Sequence, residues 1–271
     1  MTERLRLDYG NMLAPRLGGR GIEPARLDWA AARFRDIHRD VERRRAAGEL
    51  GFFLLPYADD LAHQIRTFAE GPGQSFEAVV VLGIGGSALG AHALRQALCA
   101  PGWNELDDEA RDHFPRLYIL DNIDPTTLAP LLERLDLART LFNVVSKSGT
   151  TAETLAQLLI VRDRLARTLG PDAARHHLLF TTDPDRGPLR QIAREEGIPT
   201  FPIPPAVGGR FSVLSAVGLL PAALVGIDID ELLAGARAMD ERCRTDHLPD
   251  NPAGLFAALQ YLAHHDAGAH I

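Results

Sequence analysis

Short, continuous apolar runs alternate with amphipathic helical patterns in the middle of the chain, and this alternation constrains the fold more than any other feature. The runs occupy 77–83, 116–122, 140–146 and 176–182, and helical patterns follow at 87–98, 124–135, 151–169 and 187–197. Short runs that are apolar throughout are typical of strands buried on both faces in helix-covered parallel sheets. A fifth run, 198–204, contains Pro199 and Pro202 and is predicted to be an edge strand. The sequence therefore predicts an α/β fold with a five-stranded, parallel, doubly wound sheet.

Helices are predicted on both sides of this region. Apolar spacing predicts them at 27–48 and 57–69 before the sheet. After it, the segment 208–226 is a glycine pair followed by an apolar helix, and further helices are predicted at 230–243 and 252–265. The last five residues, "AGAHI", resemble a strand that has only begun, so we expect an incomplete piece of a longer protein. The predicted organisation is a helical N-terminal arm (1–72), one domain (73–226), and a helical linker leading into a truncated second domain (227–271).

Composition narrows the classes of function. The net charge of −7 argues against nucleic acid as the main partner. The chain has no run of about 18 apolar residues and no apolar signal segment near its start, so we expect no membrane span and a cytoplasmic location. Cys99 and Cys243 follow no redox or metal spacing and are predicted to be reduced thiols. Because His264, His265 and His270 also lack ligand spacing, no metal site is predicted.

A glycine-rich segment, "VLGIGGSALGAHAL" (81–94), follows the first predicted strand. Glycines there allow a tight turn and close approach to a ligand, and Ser87 begins a helix whose free N–H groups can bind an anion. The same residues fit the dinucleotide fingerprint G-x-G-x-x-A, although the acid that would bind the ribose, Asp121, comes late. A tight turn without a ligand is the structural alternative. We call residues 83–87 the glycine loop.

The segment "SKSGTT", residues 146–151, contains the only lysine among 29 lysine and arginine residues. Thr150 and Glu153 have capping-box spacing, which would explain one hydroxyl group but not four hydroxyls, a glycine and a lysine in six residues. Hydroxyl groups and helix N–H groups suit the several acceptor oxygens of a phosphate, and lysine adds a compact charge where a planar guanidinium does not fit. This segment, the hydroxyl loop, is therefore predicted to wrap closely around a phosphate.

A third segment, "GGRFS" (208–212), follows the edge strand. Gly208 and Gly209 permit close backbone approach, and Arg210 is presented just before a long apolar helix. An arginine placed in this way can stabilise an oxyanion that develops during a reaction. We call these residues the arginine loop.

Together the three loops resemble the glucose-6-phosphate isomerase (phosphoglucose isomerase) family. "LGIGGSALG", "VVSKSGTTAET" and "GGRFSVLSAVGLLP" occur in that family's order, spacing and strand context, in a bacterial or archaeal form. The resemblance covers nearly the whole chain but only the N-terminal half of a typical member. It implies a sugar-isomerase (SIS) domain and a catalytic role for Arg210 beside C1 and C2 of the sugar. The implied substrate-binding residues are Gly85, Gly86, Ser87, Ser146, Lys147, Ser148, Thr151 and Gly209.

The resemblance also implies a reaction. Family members interconvert glucose 6-phosphate and fructose 6-phosphate through a cis-enediol, in glycolysis and gluconeogenesis, without a metal or organic cofactor, and as homodimers. The family's catalytic glutamate, ring-opening histidine and a late lysine are expected beyond Ile271, so turnover by this chain alone is doubtful. Two alternatives stay open: a non-catalytic phosphosugar-binding module, and an NAD-dependent oxidoreductase that uses the glycine fingerprint.

Overall fold

The computed structural model describes residues 5–17 and 21–269, which form two compact units. One unit comprises residues 51–234, and the other combines residues 1–50 with residues 235–271. The helices are α1 (Ala14–Leu17), α2 (Pro24–Ala46), α3 (Asp59–Glu70), α4 (Gly86–Leu98), α5 (Pro125–Arg134), α6 (Ala152–Leu169), α7 (Pro171–Ala174), α8 (Pro188–Glu196), α9 (Ala216–Leu224), α10 (Ile229–Arg242) and α11 (Pro252–Ala267). The strands are β1 (Ala78–Leu82), β2 (Arg116–Leu120), β3 (Thr140–Ser146), β4 (Leu178–Thr182) and β5 (Thr200–Pro202).

The strands of the described residues form one parallel sheet in the order β2-β1-β3-β4-β5. This confirms the predicted α/β class and the predicted five-stranded, parallel, doubly wound sheet. It also confirms that the proline-containing run becomes an edge strand, although that strand is only three residues long. In this order the chain changes direction between β1 and β3, and such a switch point leaves a crevice at the carboxyl ends of the strands.

The three central strands, β1, β3 and β4, are fully buried because their side chains are mostly apolar on both faces. Val79 and Val81 of β1 face the apolar cluster that includes α3 and α9, whereas Val80 and Leu82 face the cluster formed with α5, α6 and α8. All four are fully buried. Removing such a side chain from water stabilises the fold by about 1.5–3 kcal/mol, which is why the continuous apolar run was a good predictor of a strand.

Two glycines allow α4 and α9 to pack closely against Val213. A methyl group at Gly90 of α4 would lie 2.9 Å from the Val213 Cβ, and one at Gly218 of α9 would overlap the Val213 carbonyl. These close approaches fix Val213, which lies just after the arginine loop. The two helices therefore hold the residue that directly follows the arginine loop.

The other unit has its own small core, in which Leu255, Leu259 and Leu262 of α11 are buried. Asn251 begins α11, and its side-chain oxygen accepts the Gly254 N–H at 2.8 Å. The prediction that "AGAHI" begins a strand is wrong for its first three residues, because α11 continues to Ala267 and residues 268–269 are not in a strand. His270 and Ile271 lie outside the described residues. No helix in the described ranges is long and apolar enough to span a bilayer.

Candidate functional site

The glycine loop and the hydroxyl loop leave neighbouring parallel strands at the same edge of the sheet. Leu82, the last residue of β1, pairs with Val144 of β3, so the glycine loop begins beside the last two residues of β3. Both loops therefore lie at the switch point. Because parallel strands end at a common edge, the two loops start side by side there.

The glycine loop is shaped by backbone contacts. Gly85 has a φ of +57°, which favours glycine, and it precedes the first residue of α4. A methyl group at Gly86 would overlap the Gly209 carbonyl group and lie 2.9 Å from the Gly209 Cα. Gly209 of the arginine loop thus packs directly against the glycine loop. Ser87 follows in the first turn of α4 and is half-buried.

The hydroxyl loop is held by a network of its own side chains. Ser146 Oγ lies 3.0 Å from Thr151 Oγ1 and accepts the Gly149 N–H at 3.1 Å. Ser148 Oγ accepts the Thr150 N–H at 3.2 Å and the Thr150 hydroxyl at 3.0 Å. Thr151 is the residue that caps α6, but its hydroxyl pairs with Ser146 instead of the helix backbone. The capping-box interpretation of Thr150 and Glu153 is therefore wrong, because α6 is capped one residue later, at Thr151.

The lone lysine reaches away from its own loop. Lys147 Nζ donates to the Pro205 carbonyl at 2.7 Å and to the Val207 carbonyl at 2.9 Å. Residues 203–207, which we call the crossing segment, lead from β5 into the arginine loop. Lys147 consequently joins the hydroxyl loop to the arginine loop, a contact that the sequence did not predict.

The arginine loop is a single 3-10 turn, Gly209–Phe211, and Arg210 is exposed on it. Ser212, which is buried, donates its hydroxyl to the Gly209 carbonyl at 2.7 Å and approaches the Gly86 carbonyl at 3.5 Å. The Phe211 ring stacks on Phe52 with a centroid separation of 4.9 Å. The turn is therefore anchored on both sides while the Arg210 guanidinium stays exposed.

A fourth loop, residues 183–187 after β4, also contacts the site and was missed from the sequence. A methyl group at Gly187, whose φ is +95°, would overlap the Ser148 carbonyl oxygen. The Asp183 carboxylate accepts the N–H groups of Asp185 at 2.9 Å and Arg186 at 3.0 Å. The Asp185 N–H above all lowers the pKa of Asp183 below its usual value of 3.8. Desolvation is the second-largest effect and opposes this shift, while the Arg186 N–H and then the charges of Arg186 and Lys147 lower the pKa further. The visible signal was the "DPDRGP" turn after the fourth strand.

Other predicted features lie elsewhere. Asp121, the acid considered for a dinucleotide, lies 3.8 Å from His92 Nε2 of α4. His264 and His265 lie on α11, His270 is outside the described residues, and the described residues contain no cluster of three or more metal-ligating side chains. Cys99 and Cys243 are free thiols, and burial raises the pKa of the Cys99 thiol.

Comparison with known proteins assigns the family. The Phosphoglucose isomerase family model matches residues 56–270, which include the three loops. The chain belongs to the phosphoglucose isomerase family. The resemblance seen in the loop motifs is thereby confirmed. A glucose-6-phosphate isomerase of Carboxydothermus hydrogenoformans is 48% identical over 259 residues, covering 95% of this chain and 55% of that protein. One of Thermus thermophilus is 44% identical, covering 74% of this chain and 45% of that protein.

Solved structures agree with the phosphoglucose isomerase assignment. A hypothetical protein of Thermus thermophilus has a TM-score of 0.76 and 40% identity, covering 88% of this chain and 55% of that chain. A glucose-6-phosphate isomerase of Chlamydia trachomatis has a TM-score of 0.64 and 28% identity, covering 78% of this chain and 38% of that chain. The chain therefore spans about half the length of the curated relatives it matches.

Proposed function

We propose that this chain is the phosphate-binding, N-terminal half of a glucose-6-phosphate isomerase, which interconverts glucose 6-phosphate and fructose 6-phosphate. The observation that carries the proposal is the meeting of three loops at the switch point. The arginine loop packs on the glycine loop through Gly86 and Gly209, and the hydroxyl loop contacts the approach to the arginine loop through Lys147. The proposed phosphate site and the exposed Arg210 would thus lie at one edge of one sheet.

The hydroxyl loop and the glycine loop would hold the phosphate. Hydroxyl groups and the N–H groups at the start of α6 and α4 match the acceptor oxygens of a phosphate, and the partial positive charge of each helix start favours the anion. The network of hydroxyl groups in the hydroxyl loop is already formed, so little ordering is needed on binding. The proposed substrate-binding residues are Gly85, Gly86, Ser87, Ser146, Lys147, Ser148, Thr151 and Gly209.

Arg210 is the proposed catalytic residue. After ring opening, removal of the C2 proton of glucose 6-phosphate would move electron density onto the carbonyl oxygen and form a cis-enediolate. Returning a proton to C1, with transfer of the O2 hydroxyl proton to O1, would give the ketose. A guanidinium beside C1 and C2 would stabilise the enediolate charge, an effect that is typically worth about 10²–10³ in rate for one donor. The base that moves the proton is proposed to lie in the part of the family's length that this chain does not span.

The parent protein is proposed to act in glycolysis and gluconeogenesis, in the cytoplasm and as a homodimer. Residues 73–226 are proposed as the first sugar-isomerase (SIS) domain, with residues 1–72 as a helical arm and residues 227–271 leading into a second domain. The family assignment and the lengths of the curated relatives support this organisation.

Binding and turnover should be measured together on the 271-residue chain of verified mass. Calorimetry should show glucose 6-phosphate binding that weakens in Arg210→Ala, while a coupled assay from fructose 6-phosphate shows no turnover. Turnover would place a working base within this chain and contradict the proposed division of the site. Sugar-phosphate binding that Arg210→Ala leaves unchanged would favour a phosphosugar-binding module. Binding of NAD without binding of the sugar phosphate would overturn the proposal in favour of an oxidoreductase.

A further inference from the structure

The arginine loop reaches the switch point by crossing most of the sheet. It follows β5, which is the edge strand next to β4, yet Gly209 packs against Gly86 beyond β1. The crossing segment must therefore pass the carboxyl ends of β4 and β3. Its contacts occur in that order: the Ile203 N–H donates to the Thr182 carbonyl of β4 at 2.8 Å, and Lys147, which follows β3, binds residues 205 and 207.

The middle of the crossing segment depends on a hydrogen-bond donor from outside the segment. Pro204 and Pro205 carry no N–H, and the Val207 N–H closes a turn onto the Pro204 carbonyl at 3.0 Å. The Val207 side chain is fully buried, so its neighbouring carbonyl lies where a missing hydrogen bond is costly. Lys147 supplies donors to the carbonyls on both sides of Ala206. One ammonium group therefore holds the turn that leads into Gly208 and Arg210.

We infer that Lys147 is a positioning residue for Arg210, in addition to its proposed contact with the phosphate. The inference rests on the proposed function. An ammonium group has three donors, so two carbonyl contacts leave one for a phosphate oxygen. The bound phosphate and the crossing segment then share one cation. A ligand held through its phosphate therefore contacts an Arg210 whose position depends on the same lysine.

This arrangement gives a physical reason for a lysine at position 147. The three donors of an ammonium group point in different directions around one compact charge, which suits two carbonyls on one turn together with a phosphate oxygen. A guanidinium is a planar fork suited to a flat pair of acceptors. A lack of room around the phosphate was the predicted reason for the lysine, whereas its contacts with Pro205 and Val207 give a second reason in the crossing segment.

Affinities for two ligands distinguish a positioning role of Lys147 from an effect of its charge alone. Binding of inorganic phosphate reports on the proposed phosphate site of the hydroxyl and glycine loops, whereas binding of glucose 6-phosphate also reports on Arg210, and both affinities can be measured by calorimetry. Lys147→Met should weaken phosphate binding moderately and glucose 6-phosphate binding further, by about tenfold to a hundredfold in total, because hydrogen bonds to charged groups are strong. Arg186→Met is the matched control, since it removes a positive charge that also acts on Asp183 but lies on the fourth loop. It should change both affinities by a similar, small factor.

A double-mutant cycle tests whether Lys147 acts through Arg210. Arg210→Ala should weaken glucose 6-phosphate binding in the otherwise unchanged chain and have almost no further effect in Lys147→Met. If Arg210→Ala keeps its full effect in the Lys147→Met background, and Lys147→Met weakens both ligands by one factor, positioning is overturned. A starting chain that binds neither ligand overturns the proposed function instead, and with it the role of Lys147 in binding.

Amide hydrogen exchange of residues 203–212, measured without ligand, tests the contact itself. Exchange should be faster in Lys147→Met than in the starting chain and partly restored in Lys147→Gln, whose amide keeps two donors without the charge. Circular dichroism of each variant checks that the sheet has formed. Unchanged exchange in a folded Lys147→Met variant would overturn the inference, whatever the ligands show.

Discussion

The arginine loop is joined to its two neighbours in opposite ways. Against the glycine loop it packs backbone to backbone, because Gly86 and Gly209 have no side chains to keep them apart. Against the hydroxyl loop its approach is held at a distance by the long side chain of Lys147. We call the Gly86–Gly209 contact the glycine junction, and it depends on the absence of side-chain atoms. We call the contact of Lys147 with the crossing segment the lysine junction, and it depends on the presence of a charge.

The two junctions should fail differently. A protein interior is packed as densely as an organic crystal, so an added methyl group at a glycine contact must displace backbone. A hydrogen-bonded junction on a partly exposed side chain can instead lose its donor and admit water. We therefore expect the glycine junction to control stability and geometry together, and the lysine junction to control mainly the placement of Arg210.

The largest effect is expected from Gly86→Ala. The added methyl group would overlap the Gly209 carbonyl, which is backbone and cannot rotate away. We expect the free energy of unfolding to fall by about 2–3 kcal/mol, measured by urea denaturation, together with a loss of sugar-phosphate binding. Gly235→Ala in α10 is the control: no described atom lies within 4 Å of the added methyl group, so it should stabilise by about 0.5–1 kcal/mol. Equal effects of the two variants would contradict the glycine junction.

Lys147→Met should have a smaller effect on stability. It removes two hydrogen bonds from an ammonium group but adds no atoms that must be accommodated, so we expect a loss of about 1–2 kcal/mol in the same denaturation experiment. The two variants should differ in the ratio of binding loss to stability loss. Lys147→Met should weaken glucose 6-phosphate binding by more than its loss of stability alone would cause. A stability loss as large as that of Gly86→Ala would show that the lysine junction is chiefly structural.

Ser212→Ala sharpens the comparison at the glycine junction itself. The Ser212 hydroxyl donates to the Gly209 carbonyl at 2.7 Å and lies 3.5 Å from the Gly86 carbonyl, so it supports the contact without creating it. Its loss should cost about 1 kcal/mol, the usual contribution of one neutral hydrogen bond, and should change sugar-phosphate affinity by less than Lys147→Met does. Thermal unfolding and calorimetry measure the two quantities. A larger affinity loss than that of Lys147→Met would reverse the assigned importance of the two junctions.

The features that the sequence predicted and those it missed differ in how far apart in the sequence the interacting residues lie. The strands were predicted because an apolar run such as 77–83 is a local signal for burial on both faces. The candidate site was predicted at the switch point because parallel strands end at a common edge, so each loop needed only its own strand. The contact of Lys147 with Pro205 and Val207 spans 58 and 60 residues, and no local pattern marks a carbonyl that needs a donor. The short motif "AGAHI" misled because Ala267 and Gly268 are the end and cap of α11, and the Ala269 N–H donates back to the Ala263 carbonyl.

The smallest effect is expected at Asp183, whose carboxylate is stabilised by backbone N–H groups more than by the charge of Lys147. Because the folded-state pKa is lowered, the ionised carboxylate stabilises the fold above the usual value of 3.8, and this contribution is lost as the pH falls through the lowered pKa. The stability difference between the unaltered chain and Asp183→Asn should therefore shrink in acid. Carboxyl-carbon NMR should place the midpoint below 3.8 and show only a small upward shift in Lys147→Met, since the lysine charge is the weakest of the causes. A large shift would mean that the lysine junction also organises the fourth loop, and that its effects reach beyond Arg210.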